Sequence, residues 1–202
     1  EHYITREIRA VLVKYLQNRW KQVMELENAP EHRQKLTEME AFAAQPLPVV
    51  EHPQGSMTLH TDRDHAQRTA ALLRELFQFL TELQNGGMLP PATTRDVMYQ
   101  VKEAYTRTRI DVEIMEAMEV EQMRGAAPAL PRYRTAAGKL QHLNQTQQLD
   151  RQIYELSAHM DKLQDIVEHE RMLREAEENR KRAEEAAKED KFQARAYTDF
   201  RR

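Results

Sequence analysis

What most constrains this chain is where its helix-breaking residues fall. It holds five glycines and eight prolines in 202 residues, and all but Gly138 lie at four places: Pro30, Pro46 to Gly55, Gly86 to Pro91, and Gly125 to Pro131. Glycine readily takes positive φ and proline lacks a backbone donor, so such clusters close helices or make turns. An antiparallel β-sandwich or barrel needs turn signals roughly every eight to twelve residues. Here the stretches 56–85 and 92–124 contain no breaker at all. The expected fold class is all-α.

Apolar periodicity fills the blocks between the breaks. Ile4, Ile8, Val11, Leu12, Tyr15, Leu16, Val23 and Met24 recur at three- and four-residue steps, which predicts a helix over 3–27. Pro30 suits the opening turn of a shorter one over 31–44. Residues 45–60, with three prolines, a glycine and the pair Val49–Val50, read as a loop or strap. Ala66, Ala70, Leu73, Leu76, Phe77, Leu80 and Leu83 mark a third helix, with Gly86–Gly87 as its left-handed stop. Thr93 or Thr94 is the expected N-cap of a helix carrying Val97, Val101, Ala104 and Tyr105. The polar stretch Thr106 to Thr108 reads as a turn before a helix over 109–124, whose seam is Ile110, Ile114, Met118 and Met123. After Pro131 come a helix with Ala136, Ala137, Leu140 and Leu143, a polar break over 144–148, and a longer helix.

That last helix changes character. Leu149, Ile153, Leu156, Met160, Leu163 and Ile166 or Val167 form a seam fit for a bundle or a partner helix. Beyond Glu168 the apolar residues thin out, and Glu170–Arg174, Glu177–Lys181, Glu178–Arg182 and Glu184–Lys188 are acid-before-base pairs four apart. Such pairs contribute about 0.2–0.5 kcal/mol each. A helix polar all round cannot bury itself in its own domain, so it projects into solvent or lies along another subunit, ending in Phe192, Tyr197 and Phe200. The expected organisation is N-terminal helices over 1–45, a strap over 46–60, a helical-hairpin core over 61–165, and a charged extension over 166–202.

Composition narrows the chemistry. The absence of cysteine excludes disulfides, thiolate metal sites and cysteine nucleophiles. A net charge of −3 does not describe a general polyanion binder. No stretch approaches the eighteen or more apolar residues of a membrane span. No phosphate-binding glycine loop is present, and neither Ser56 nor Ser157 sits in a nucleophile elbow. The densest polar cluster is His60-Thr61-Asp62-Arg63-Asp64-His65, whose imidazoles and carboxylates are the donor types of zinc, manganese or iron sites. The plainer use, and the expected one, is a helix cap by Thr61 or Asp62. His142, His159 and His169 show no metal-ligand spacing. Arg107, Arg109, Arg124, Arg132 and Arg134 fall near the expected hairpin ends, where they could meet phosphates. No catalytic, cofactor or metal residue is expected. The candidate protein-contact residues are Trp20, Leu149, Ile153, Leu156, Met160, Leu163, Phe192, Tyr197 and Phe200.

Two stretches look like copies of one unit. Pro91 and Pro131 open them, and Arg109-Ile110-Asp111 and Gln148-Leu149-Asp150 stand at their expected hairpin turns. With Ala104-Tyr105, Ile110-Asp111, Met118 and Gly125 in the first and Tyr133, Leu149-Asp150 and Met160 in the second, residues 64–165 resemble the pentatricopeptide-repeat (PPR) family of α-solenoids. The repeat spacing of 39–40 residues is longer than the family's, so helix lengths or loops must differ. The resemblance implies a short PPR- or tetratricopeptide-like array of antiparallel hairpins and a mitochondrial matrix location, with the cytoplasm as the alternative. A chain opening on Glu1 fits a cleaved organelle presequence. Within the resemblance, the small PPR-like accessory subunits on the F1 catalytic head of some protist mitochondrial ATP synthases agree in size, repeat type and charge. The expected role is therefore a non-catalytic accessory subunit of a large protein complex, with the F1 alpha subunit as the specific partner. Single-stranded RNA, for a PPR adaptor or a mitochondrial ribosomal protein, is the first alternative. A coiled-coil cytoskeletal scaffold is the second.

Overall fold

The computed structural model describes residues 3–27, 29–47, 52–145 and 148–199, with 189–199 described in backbone only. Among these residues the chain is all-α. Its six helices are α1 (Arg6–Leu26), α2 (Pro30–Ala44), α3 (Arg63–Asn85), α4 (Pro91–Arg124), α5 (Ala126–Leu143) and α6 (Asp150–Asp199). Successive helices pair along the chain, and the last is the longest. This is the arrangement of a helical-hairpin protein at its coarsest.

The helix ends follow from capping chemistry. Thr5 caps α1 by accepting from the Ile8 amide at 3.2 Å, and Asp62 caps α3 by accepting from the His65 amide at 2.7 Å. Pro30 takes the opening position of α2, where its missing N–H costs nothing. At the end of α3 the Gly87 amide donates to the Gln84 carbonyl and the Met88 amide to the Leu83 carbonyl, both at 3.0 Å, with Gly87 at φ 66°. These two bonds make a Schellman stop, which needs the left-handed backbone glycine tolerates.

Two expected breaks are absent. The turn at Thr106 to Thr108 does not exist, because α4 runs unbroken for 34 residues. The Thr106 and Thr108 hydroxyls donate back to the Lys102 and Ala104 carbonyls at 2.9 Å, so these polar residues satisfy themselves inside the helix. The first of the two expected hairpins is accordingly one continuous helix. Its N-cap is not Thr93 or Thr94. The helix starts at Pro91, and the Thr94 amide and hydroxyl both bond the Pro90 carbonyl. Pro131 likewise does not open α5. The helix begins directly after Gly125, whose φ of 84° turns the chain in a single residue. Pro128 falls among the first amides, which have no intrahelical acceptor, and Pro131 lies one turn further in.

The chain divides into two compact units, Glu1–Val112 and Glu113–Arg202, with the division inside α4. In the first, Ile8 and Val11 of α1, Leu73, Leu80 and Leu83 of α3, and Val97, Val101 and Ala104 of α4 form one apolar cluster. The N-terminal helix, expected to precede the core, thus supplies part of it. α2 lies against α1, where Arg9 reaches the Phe42 ring and the Phe42 and Gln45 carbonyls. In the second unit α5 buries Ala129, Leu130, Tyr133, Ala136, Ala137 and Leu140, α6 buries Gln152, Leu156 and Leu163, and Leu149 is buried just ahead of α6. Residues 149, 156 and 163 are successive sevens, which holds them on one side of α6. The expected polar break between α5 and α6 is present, with Asn144 bridging the Leu149 amide (3.0 Å) and the Asp150 carboxylate (2.5 Å).

Candidate functional site

The strap ahead of α3 is fastened to α4 by one carboxylate. Asp111 Oδ2 accepts from the Leu59 amide at 2.9 Å, from the His60 amide at 3.2 Å, and from His60 Nδ1 at 2.8 Å. Both side chains are sealed from solvent, with 1% and 0% exposure. Within the strap His52 Nε2 meets the Ser56 carbonyl at 2.5 Å, and the Ser56 and Thr58 hydroxyls donate to the Thr58 and His60 carbonyls. A segment with no regular structure thus pairs the Ser56, Thr58 and His60 carbonyls locally.

Around the His60 imidazole stand Tyr3, with ring centroids 5.9 Å apart, and His65, at 5.4 Å. Burial pushes the Tyr3 phenol up to about 12; the Asp111 charge adds to this, while Thr108 and Arg107 oppose it. An imidazole oriented by a carboxylate is half of a base–nucleophile constellation. Here, however, His60 Nε2 is buried and meets no hydrogen-bond partner. The pair braces the strap. The polar run at 60–65 therefore splits into two uses, with His60 turned to Asp111 and Asp62 capping α3. Among the described residues no group of three or more histidines or carboxylates gathers as a metal set.

A second polar cluster ties the second unit together. Glu121 Oε2 on α4 accepts from the Tyr133 hydroxyl of α5 at 2.7 Å and lies 2.8 Å from His159 Nε2 of α6. The Tyr133 and His159 rings meet edge to face at 5.2 Å. Burial works against the Glu121 charge, but the hydrogen bonds from His159 and Tyr133 and the His159 charge outweigh it and hold the carboxyl below its usual value. Burial, with Glu121 beside it, pushes the Tyr133 phenol up. Nothing in the spacing of positions 121, 133 and 159 announced this contact, because it depends on the register of three helices.

The expected contact residues fall into three groups. Leu149, Leu156 and Leu163 are buried within the chain's own second unit, with Ile153 and Met160 half-buried. Trp20 is half-buried at the α1–α2 contact, its ring 5.5 Å from that of His32. Phe192 and Tyr197 lie in the backbone-only part of α6, and Phe200 lies outside the described residues. Of the five arginines expected near hairpin ends, Arg134 donates to Gln164 at 2.5 Å.

The most conspicuous exposed element is the remainder of α6. Among the residues whose side chains are described, its last buried one is Leu163, and the helix continues to Asp199, about 54 Å further. Glu170–Arg174 (3.1 Å), Arg171–Glu175 (3.5 Å), Glu177–Lys181 (3.5 Å), Glu178–Arg182 (3.6 Å) and Arg180–Glu184 (3.7 Å) brace it along its length. Ile166, Met172 and Leu173 stand 48–59% exposed on it. No helix is long and apolar enough to cross a membrane among the described residues. Comparison with family models, with curated proteins and with solved structures finds no match to this chain.

Proposed function

We propose that this protein is a non-catalytic accessory subunit of a larger protein assembly, in which the second half of α6 is the docking arm. One observation carries the reading: a helix that continues about 54 Å past Leu163, the last buried one among its described side chains, while leaving Ile166, Met172 and Leu173 exposed. Ion pairs four apart keep such a rod helical, yet they supply no reason for its apolar side chains to be exposed. A partner surface along the arm supplies that reason.

The finer reading, a PPR-like subunit of a mitochondrial complex with the F1 alpha subunit as neighbour, draws its support from the sequence resemblance. Its structural support is confined to the α5–α6 hairpin, since the other expected repeat is the single helix α4. Lysine-directed cross-linking of the native protein tests both levels. Cross-links from Lys181 and Lys188 on the arm to another polypeptide support the subunit reading, and cross-links to the F1 alpha subunit support the finer one. Cross-links from the arm only to this chain's own lysines overturn both.

A further inference from the structure

On the first unit, Gln67, Ala70 and Arg74 of α3 face Tyr105, Arg109 and Val112 of α4 across an open groove of about 160 Å³. Each set recurs at three- and four-residue steps, so each is one stripe of its helix. The two stripes place one guanidinium on either side of the groove, and no acidic residue lines it. Neither the Arg74 nor the Arg109 side chain makes a hydrogen bond or an ion pair among the described residues. Guanidinium groups stay charged at any physiological pH, so this is an uncompensated pair of cations. Elsewhere the chain pairs exposed cations readily, as with Lys139 on Glu113 at 2.6 Å and the five ion pairs of the arm.

The chemistry that fits is a planar oxyanion on a short apolar stem. Two guanidinium forks match a carboxylate in bidentate fashion. Ala70 and Val112 give an apolar floor for methylenes, and the half-buried Tyr105, packed against the core cluster, makes a fixed wall. A phosphate site would ordinarily draw on backbone amides at a helix start or in a glycine-rich loop. This groove instead lies against the interiors of α3 and α4, where the backbone amides are already spent in the helix ladder. A nucleic-acid strand needs a run of cations, and of the five arginines expected at hairpin ends only Arg109 lines this groove.

We propose that the groove between Arg74 and Arg109 docks an acidic, Glu- or Asp-bearing segment of a protein partner. The proposal rests on the accessory-subunit reading and adds a second contact, on α3 and α4, to the one on the arm.

The test is a titration of the isotope-labelled full chain, followed by two-dimensional NMR, with capped hexaglutamate as probe and with inorganic phosphate and oligouridylate in parallel arms. Hexaglutamate is expected to shift the signals of Ala70, Arg74, Tyr105 and Arg109 saturably. The Arg74→Gln/Arg109→Gln variant should weaken that binding by about tenfold or more. Its melting temperature should be unchanged, since both side chains are exposed. The proposal is overturned by the absence of saturable shifts, by equal binding in the double variant, or by groove signals that answer phosphate or oligouridylate and not the peptide. A failure here leaves the arm cross-links untouched, whereas loss of those cross-links with hexaglutamate still bound faults the accessory-subunit reading alone.

Discussion

His60 and Asp111, 51 positions apart in sequence, meet at 2.8 Å with both side chains closed to solvent. Because the same carboxylate oxygen also takes the Leu59 and His60 amides, one side chain fixes the end of the strap to α4. Asp111→Ala strands three buried donors and is expected to destabilise the protein by about 3–5 kcal/mol. Asp111→Asn keeps one acceptor oxygen and should cost less. Urea denaturation gives the magnitudes. Hydrogen exchange should show the Leu59 and His60 amides losing protection first in either variant; unchanged protection there would remove Asp111 from this role.

Tyr3 makes stability fall on the alkaline side. Its folded-state pKa is about 12 against an ordinary 10, so the unfolded chain ionises first as pH rises. The Tyr3 contribution is whole below pH 10 and is lost between pH 10 and 12, to about 2–3 kcal/mol in all. Denaturation midpoints of wild type and Tyr3→Phe, compared at pH 9 and pH 11.5, should diverge with the wild type falling faster. Parallel curves would mean that the phenol titrates normally in the folded state.

Glu121 acts with the opposite sign. Its carboxyl is held below the usual 4.5 in the folded state, so its contribution is present above that pH and disappears as pH falls through the folded value. Glu121→Gln should be less stable than wild type at pH 7 and approach it as the pH falls below 4.5. The mutant also leaves His159 without its carboxylate, so two-dimensional NMR should show the His159 and Tyr133 ring signals moving together.

How much of this was legible in the sequence depends on whether the signal was local. Asp62 as a cap, Gly86–Gly87 as a stop, and the α3 and α6 seams need only neighbouring residues, and each is in place. Thr106 and Thr108 misled because a threonine inside a helix and a threonine in a turn differ only in where the hydroxyl points. Pro131 misled because a proline six residues into a helix resembles one at its start. The brace at Asp111 carried a cue, an acid beside Ile110 at the expected hairpin turn. Its partner could not be named, since His60 reaches it from a segment without periodicity. The Glu121 cluster and the Arg74–Arg109 groove depend on helix register, which no single helix encodes.

The arm of α6 should behave as a rigid rod. Spin labels at positions 165 and 188, both exposed, are separated by 23 helical residues and should give one narrow distance of about 35 Å by pulsed electron resonance. Raising the salt should broaden it, because the bracing pairs are solvent-exposed and screened. A broad, short distribution at low salt would show that the arm needs its partner to be helical.

RNA binding is separable from protein docking by filter binding to single-stranded RNA at 50 and 200 mM salt. With a net charge of −3 and two unpaired groove cations, weak binding at both concentrations is expected. Tight binding that collapses as salt rises would favour the RNA adaptor reading.

The central claim is that the exposed half of α6 joins this 23.8 kDa chain to a larger assembly. Its most direct test is sedimentation of gently lysed source cells, comparing the tagged full chain with a form ending at residue 165. The account predicts that the full chain sediments in a large complex and that the truncated form, still folded by its melting curve, sediments alone. A full chain sedimenting as a free monomer, or a truncated chain still held in the complex, would contradict it.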